Sequence, residues 1–319
     1  MPSRTEPVPS GLLVVDKDRG MTSHDVVSRV RRLAHTRKVG HAGTLDPMAT
    51  GVLVLGINRA TRLLTWVTGH AKAYEATMRL GVSTNTDDAE GEVLADPGCV
   101  DLDDDRLEAA LSPLRGDIEQ VPSTVSAIKI DGRRAYALAR EGVEVDIPAR
   151  PVHVDRLDVL GIPREEVIAR DGRPLTVTDV DIRVECSSGT YVRALARDVG
   201  RTLGVGGHLT ALRRTEVGSF TLSDASTLAE LAALDEEGRD LPLIDLGVAA
   251  RAMFPDLPLD EAEAGRFAHG QAPRRSGGAL EALAVAAGED PLAVLAPDGE
   301  TVLGLARVAD GQVRTVLVF

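Results

Sequence analysis

With 319 residues, 43% of them hydrophobic and 3% aromatic, the chain is long enough for two domains and apolar enough to bury a core. No apolar run reaches membrane-spanning length, and the opening MPSRTEPVPS lacks the apolar stretch of a signal peptide. Cys99 and Cys186 lie too far apart for a redox or ligand motif, so a reducing cytoplasm is expected. The net charge of −13 argues against a polyanionic partner unless positive charge is gathered locally: Lys17 through Lys72 hold ten Lys and Arg against three Asp and no Glu, and Arg183 to Arg214 hold six against two acids.

In chain order, residues 1–10 read as a disordered arm and Gly11 to Val15 as a strand, followed by the turn-like DKDRG. Thr22 or Ser23 can cap a helix running to about Leu33, with Val26, Val27, Val30 and Leu33 on one face. Gly51 to Leu55 suits a buried strand, Ala60 to Val67 a short helix, and Ala73 to Leu80 a strand leading into an acidic, solvent-facing turn at Asp87 to Glu92. A helix is expected over Leu102 to Leu111, with Asp103 and Asp104 at its positive end. Gln120 to Gly142 joins an extended segment to a helix at Arg133 to Arg140. Strands follow at Val152 to Leu160 and Val177 to Cys186, separated by a loop around Asp171-Gly172. Val192, Leu195, Ala196 and Val199 repeat at helical spacing in a helix that Gly204 or Gly206 can stop. Beyond Pro242, short apolar runs at 282–287, 292–296, 302–307 and 313–319 between Gly, Asp and Pro suggest a small β-rich, barrel-like domain over 249–319. The fold class is α+β (mixed α/β), with domains at 11–245 and 249–319.

The segment HAGTLDPMATGVL, His41 to Leu53, sets the single carboxylate of Asp46 among small residues in the most basic part of the chain. Pro47 pushes the residue before it toward extended geometry, which projects a side chain from a loop, and Thr44 and Thr50 can brace that loop through their hydroxyls. An Asp-Pro in a glycine-rich loop is by itself more often a turn than a catalytic site. In CSSGTYVRALARDVG, Tyr191 and Arg193 share a face if the backbone there is extended and diverge if the helix has begun. The planar fork of an arginine suits pairing with a carboxylate or a phosphate.

The segments LLVVDKDRGMTSHDVV, KVGHAGTLDPMATGVLVLGINRATRL, KAYEATMRLG, ECSSGTYVRALARDVG and LTALRRTEVGSF, in that order, make the chain resemble the bacterial tRNA pseudouridine synthases (TruB type) that modify uridine 55 of the TΨC arm. The resemblance covers most of residues 11 to 220. It implies a catalytic fold with a central, largely antiparallel sheet followed by a small PUA barrel. It also implies an enzyme that detaches uracil from C1′, rotates it and rejoins it through C5 without cofactor or metal. Asp46 falls on the catalytic aspartate, and whether it first meets C1′ or C6 stays open. Tyr74 falls on the active-site tyrosine and Arg193 on the arginine that pairs with the aspartate. Tyr191 matches a second pocket tyrosine, Leu212 an apolar wall, Lys17 an early basic residue and His41 a histidine contacting displaced RNA bases, while Thr44 belongs to the same substrate-binding loop. Residues 121–150, with Lys129, Arg133 and Arg134, match an insertion that closes over the RNA loop.

The expected partner is the TΨC stem-loop of tRNA, bound by a monomer with no membrane partner. Such a base must leave its stack before C1′ and C5 can be reached, and recognition proceeds through RNA shape and splayed bases. The related guide-directed enzymes of box H/ACA particles share much of the pattern. MATG after Asp46-Pro47, the acidic composition and the absence of long Lys-rich tails favour a stand-alone form needing no guide RNA. An RNA-binding protein without catalysis is the alternative of another class. HExxH, GxxxxGKS and GxGxxG patterns are absent, which counts against a metal hydrolase or a nucleotide-cofactor enzyme.

Overall fold

The computed structural model describes residues 10–123, 129–130, 133–134 and 147–319. The arm at 1–9 and most of the insertion at 121–150 therefore lie outside the described residues.

Strand β1 (Gly11–Lys17) leads into α1 (Ser23–Leu33), whose start is a capping box: the Thr22 hydroxyl takes the Asp25 N–H, and the Asp25 carboxylate takes the Thr22 N–H. The short strand β2 (Val39–Ala42), the loop bearing Asp46 and β3 (Thr50–Ile57) come next, then α2 (Leu64–Gly69) and β4 (Lys72–Leu80). The expected helix at Ala60 to Val67 is a 3₁₀ turn at Asn58–Arg62 running into α2. Helix α3 (Asp104–Leu111) is capped by the Asp103 carboxylate and precedes β5 (Gly116–Gln120). The strands β6 (Arg150–Val159), β7 (Arg164–Arg170) and β8 (Arg173–Cys186) follow; β7 and β8 form a hairpin about Asp171-Gly172, so the expected strand at Val177 begins four residues earlier. Helix α4 (Val192–Leu203) stops at Gly204 and is followed by β9 (Gly207–Val217), a strand with too many charges to read as central. A two-residue strand, β10 (Ser226–Thr227), then leads into α5 (Leu228–Glu236).

These strands form one mixed sheet in the order β10-β1-β3-β9-β4-β8-β6-β5, antiparallel except where β10 meets β1 and β9 meets β3. Because strand side chains alternate, Leu13, Val15, Leu53 and Leu55 pack on one face with α1 and α4. Leu12, Val14, Val52 and Val54 pack on the other with α2 and the C-terminal segment. Burial on both faces is why β1 and β3 read as unbroken apolar runs. It also makes the sheet centre a firm platform, and the Asp46 loop leads directly into its central strand β3.

The expectation of a closed C-terminal barrel is overturned. After α6 (Leu246–Met253), the strands β11 (Asp256–Pro258), β12 (Leu292–Leu295), β13 (Val302–Ala309) and β14 (Gln312–Val318) pair in that order, and β11 does not pair with β14, so the sheet is open. The apolar run at 282–287 belongs to helix α8 (Gly277–Ala287), which follows α7 (Glu261–Phe267). The Ala- and Leu-rich GGALEALAVAA favours a helix, and Leu280, Leu283 and Ala287 bring one face onto the small core. Helix α6 also crosses the expected boundary at 249: Ala249 and Ala250 pack with Leu12 and Val14 of the large sheet as well as Ala293 and Leu305 of the small one. The helix expected at Arg133 to Arg140 lies mostly outside the described residues; Arg133–Arg134 themselves pair with Lys129–Ile130 as a two-residue strand.

Candidate active site

Asp46 sits in the loop between β2 and β3, and its neighbours Leu45, Met48 and Ala49 are buried. The Ser23 hydroxyl accepts the Leu45 N–H at 2.8 Å and donates to the Leu45 carbonyl at 3.1 Å. Gly20 N–H donates to the Pro47 carbonyl at 2.8 Å. The Lys17 ammonium donates to the carbonyls of Asp18, Met21 and Pro47 at 3.0, 2.7 and 3.4 Å. From below, the Arg214 guanidinium donates to the carbonyls of Val52, Gly43 and Thr44 at 2.7, 3.2 and 3.5 Å. With the backbone pinned at these points, the Asp46 side chain remains 37% exposed. Gly51 is required where β3 meets β9: its φ is +99°, and a Cβ there would lie 2.1 Å from the Arg214 carbonyl.

The carboxylate faces a guanidinium. Arg193 Nε lies 3.0 Å from Asp46 Oδ2, while its Nη1 lies 3.2 Å from Asp88 Oδ2 and donates to the Thr86 carbonyl at 2.7 Å. One turn later Arg197 pairs with Asp87 at 3.2 Å and donates to the Val121 carbonyl at 2.8 Å. The acidic turn expected to face solvent is split: Asp87 and Asp88 are buried and meet arginines of α4, while Glu90 and Glu92 are exposed. Burial raises the pKa of Asp87, against the hydrogen bonding and arginine charges that lower it. Tyr191 is extended (φ −101°, ψ 101°) and forms the N-cap of α4, so the helix begins only after it, at Val192. Its peptide is held at both ends by the Gln120 side chain, which accepts the Tyr191 N–H at 2.8 Å and donates to the Tyr191 carbonyl at 3.1 Å.

Asp46 opens onto a cavity of about 310 Å³, lined also by Thr44, Lys72, Tyr74, Tyr191, Arg193, Leu212 and Arg214 and by the Ser187–Thr190 turn. The volume is at the small end of ligand sites, about what one flat heterocycle and its sugar require. Tyr74 and Leu212 reach it because β4 and β9 are neighbours: Arg214 stands opposite Tyr74 and Leu212 opposite Ala76. Burial pushes the Tyr74 phenol upward, opposed by the charge and hydrogen bond of Arg214. Among the described residues, the charged groups of the lining are three cations, Lys72, Arg193 and Arg214, against Asp46 alone.

Of the residues singled out from the sequence, Asp46, Thr44, Tyr74, Tyr191, Arg193 and Leu212 meet at this cavity, and Lys17 and His41 are not in its lining. Lys17 is fully buried, and burial lowers its pKa to about 8. The His41 ring lies edge-on to His24, with centroids 5.6 Å apart, and its Nδ1 is buried. Burial, then the His24 and Arg214 charges, lower its pKa. Sequence reasoning missed Asp88, Arg214, Lys72 and Gln120. Asp88 and Gln120 take their places from contacts with Arg193 and with the Tyr191 peptide, and Lys72 and Arg214 from the pairing of β4 with β9.

Two family models match the chain in succession: TruB family pseudouridylate synthase (N terminal domain) over residues 31–192, and tRNA pseudouridylate synthase B C-terminal domain over 193–246. The fold is that of a pseudouridine synthase catalytic domain, and the chain belongs to the TruB family of pseudouridylate synthases. It is 54% identical over 310 residues to tRNA pseudouridine synthase B of Arthrobacter sp. (strain FB24), covering 97% of this chain and 96% of that protein. With the protein of the same name from Mycobacteroides abscessus it shares 54% over 290 residues, 91% and 93% of the two chains. Among solved structures it is similar in fold to a chain of an H/ACA ribonucleoprotein bound to a substrate RNA, with a TM-score of 0.66 and 23% identity over 97% of this chain and 84% of that one.

Proposed function

We propose that the protein isomerises uridine 55 in the TΨC arm of tRNA to pseudouridine, with Asp46 as the catalytic carboxylate. One observation carries the reading: a half-exposed carboxylate, 3.0 Å from a buried guanidinium, opens into a cavity walled by Tyr74, Tyr191 and Leu212 that is sized for one nucleoside. The pinned loop supplies a nucleophile that needs little reorganisation. Tyr74 and Leu212 pack against the base, and the enclosed shape keeps released uracil beside C1′ while it turns to present C5. Flipping the nucleotide out of the loop costs a few kcal/mol, offset by phosphate contacts and by burial of the base. Lys17 acts by bracing the loop at Pro47, and His41 stands ready to meet bases displaced beside the target.

Residues 11–245 hold the chemistry in this reading, and 249–319 form an appended unit. The enzyme works as a cytoplasmic monomer without guide RNA. No helix among the described residues is long and apolar enough to cross a membrane. The test is nucleotide-resolution mapping of pseudouridine in a tRNA transcript treated with purified wild type or D46N and no other macromolecule. Pseudouridine at position 55 with the wild type alone is expected. Its absence, or its persistence in D46N, overturns the reading.

A further inference from the structure

Among the described residues, the cavity holds two cations that no carboxylate neutralises. Arg193 has Asp46 and Asp88, but among the described residues neither Lys72 nor Arg214 lies within ion-pair distance of an acid. Lys72 donates to the carbonyls of Thr68 and His70 at 2.9 and 2.8 Å, and Arg214 donates to those of Val52, Gly43 and Thr44. They are 8% and 1% exposed, and both flank Gly43: a Cβ on that residue would lie 3.5 Å from Lys72 Cε and 3.6 Å from Arg214 Nη1. Burying two like charges side by side is unfavourable unless an anion joins them. Consistently, burial and then the Arg214 charge bring the Lys72 pKa down to about 8.

We propose that Lys72 and Arg214 form an anion-holding floor that stabilises the negative charge developing on the uracil ring during isomerisation. The inference rests on the synthase reading above, in which Arg214 only braces the Asp46 loop and Lys72 has no part. It holds for either first step. If C1′–N1 breaks as the Asp46 carboxylate takes C1′, the bonding electron pair leaves on N1 and spreads to O2 and O4. If Asp46 adds at C6, the C5–C6 π pair moves onto C5 and O4. In both cases the base becomes an anion; once C1′–N1 has broken, C5 bonds to C1′, Asp46 leaves as the free carboxylate, and the proton lost from C5 is balanced by one taken up at N1, so the product base is neutral. Preset cations aimed at charge that appears only during reaction lower the barrier without tightening ground-state binding.

The alternative source of negative charge is a backbone phosphate, and the two differ in kinetics. The test uses K72Q, which keeps a donor but removes the charge, K72M, which removes both, and K72R, which keeps the charge. Single-turnover pseudouridine formation, tRNA Kd as a function of salt and the thermal unfolding midpoint are measured for each. The rate should fall about 10²- to 10³-fold in K72Q and K72M, as for loss of one preorganised charge-stabilising group. Kd should stay within about twofold at unchanged salt slope, because no phosphate contact is lost, and K72R should recover most of the rate. K72Q at the wild-type rate overturns the proposal. So does weakened binding with a salt slope lower by about one at unchanged rate, which marks a phosphate contact, and so does K72R as slow as K72Q in a folded protein. If K72M does not fold, the K72Q and K72R pair decides. An inactive wild type would instead sink the synthase reading itself.

Discussion

Arg193 joins two carboxylates that differ in their surroundings, and replacing each with its amide should separate stability from chemistry. Asp88 is 6% exposed; its Oδ1 accepts the Thr86 hydroxyl at 2.6 Å and the Glu90 N–H at 3.0 Å, leaving Oδ2 for Arg193 at 3.2 Å. In Asp88→Asn the oxygen stays with those two donors, so the new NH₂ faces the guanidinium, donor against donor. Removing one partner of a buried pair costs ~3–5 kcal/mol. Since Arg193 keeps Asp46, we place D88N at about 2–3 kcal/mol, in the range of a hydrogen bond to a charged group. Asp46 is 37% exposed, and water screens its pairing, so D46N should lose no more than about 1 kcal/mol. Activity should run the other way, with D46N without detectable product and D88N slowed about 10- to 100-fold through a misdirected Arg193, roughly the loss expected from a small displacement of a catalytic group. Urea unfolding at pH 7 gives both stabilities, and single-turnover assays give the rates. Equal destabilisation by the two substitutions, or a D88N rate equal to wild type, would refute the assignment of Asp88 as the buried anchor of Arg193.

Gly51→Ala should prevent correct pairing of β3 with β9, since the added Cβ meets the Arg214 carbonyl at 2.1 Å; soluble yield and circular dichroism report it, and a wild-type melting profile would contradict it. Ser23→Ala strands the buried Leu45 N–H and should cost about 1–3 kcal/mol in urea unfolding, with a slower single-turnover rate at unchanged tRNA Kd. Lys17 has a folded pKa of about 8, below the free value of 10.5. Between those pH values the unfolded chain binds more protons, so the penalty for burying this charge is present below pH 8 and is relieved as pH rises toward 10.5. The unfolding free energy of wild type relative to K17M should therefore increase over that window, and a pH-independent difference would rule the buried charge out. Dialysis against a chelator should leave activity unchanged, and a loss restored by adding a divalent metal would show that the chemistry does not rest on side chains alone.

Local chemistry alone carried a good deal. The Thr22 cap and the valines behind it define α1, the four apolar positions and Gly204 define α4, and the small residues around Asp46-Pro47 mark a loop that projects one carboxylate. These features depend on hydrogen bonds and periodicities within a few residues, so they can be read from the chain. Apart from Arg193 against Asp46, which the family resemblance implied, the partners could not. Asp87 and Asp88 look like a solvated acidic turn until α4 brings Arg193 and Arg197 against them, and the charged LTALRRTEV is a central strand only because β3 and β4 pair with its two edges. At 282–287 a short apolar run reads as part of a β-rich pattern, but packing of Leu280, Leu283 and Ala287 onto the small core makes it a helix. The sequence therefore determined where the reactive carboxylate is displayed, through local sterics and capping. Tertiary contacts between distant segments decided its electrostatic surroundings, because a charge can be buried only where another part of the chain supplies its hydrogen bonds.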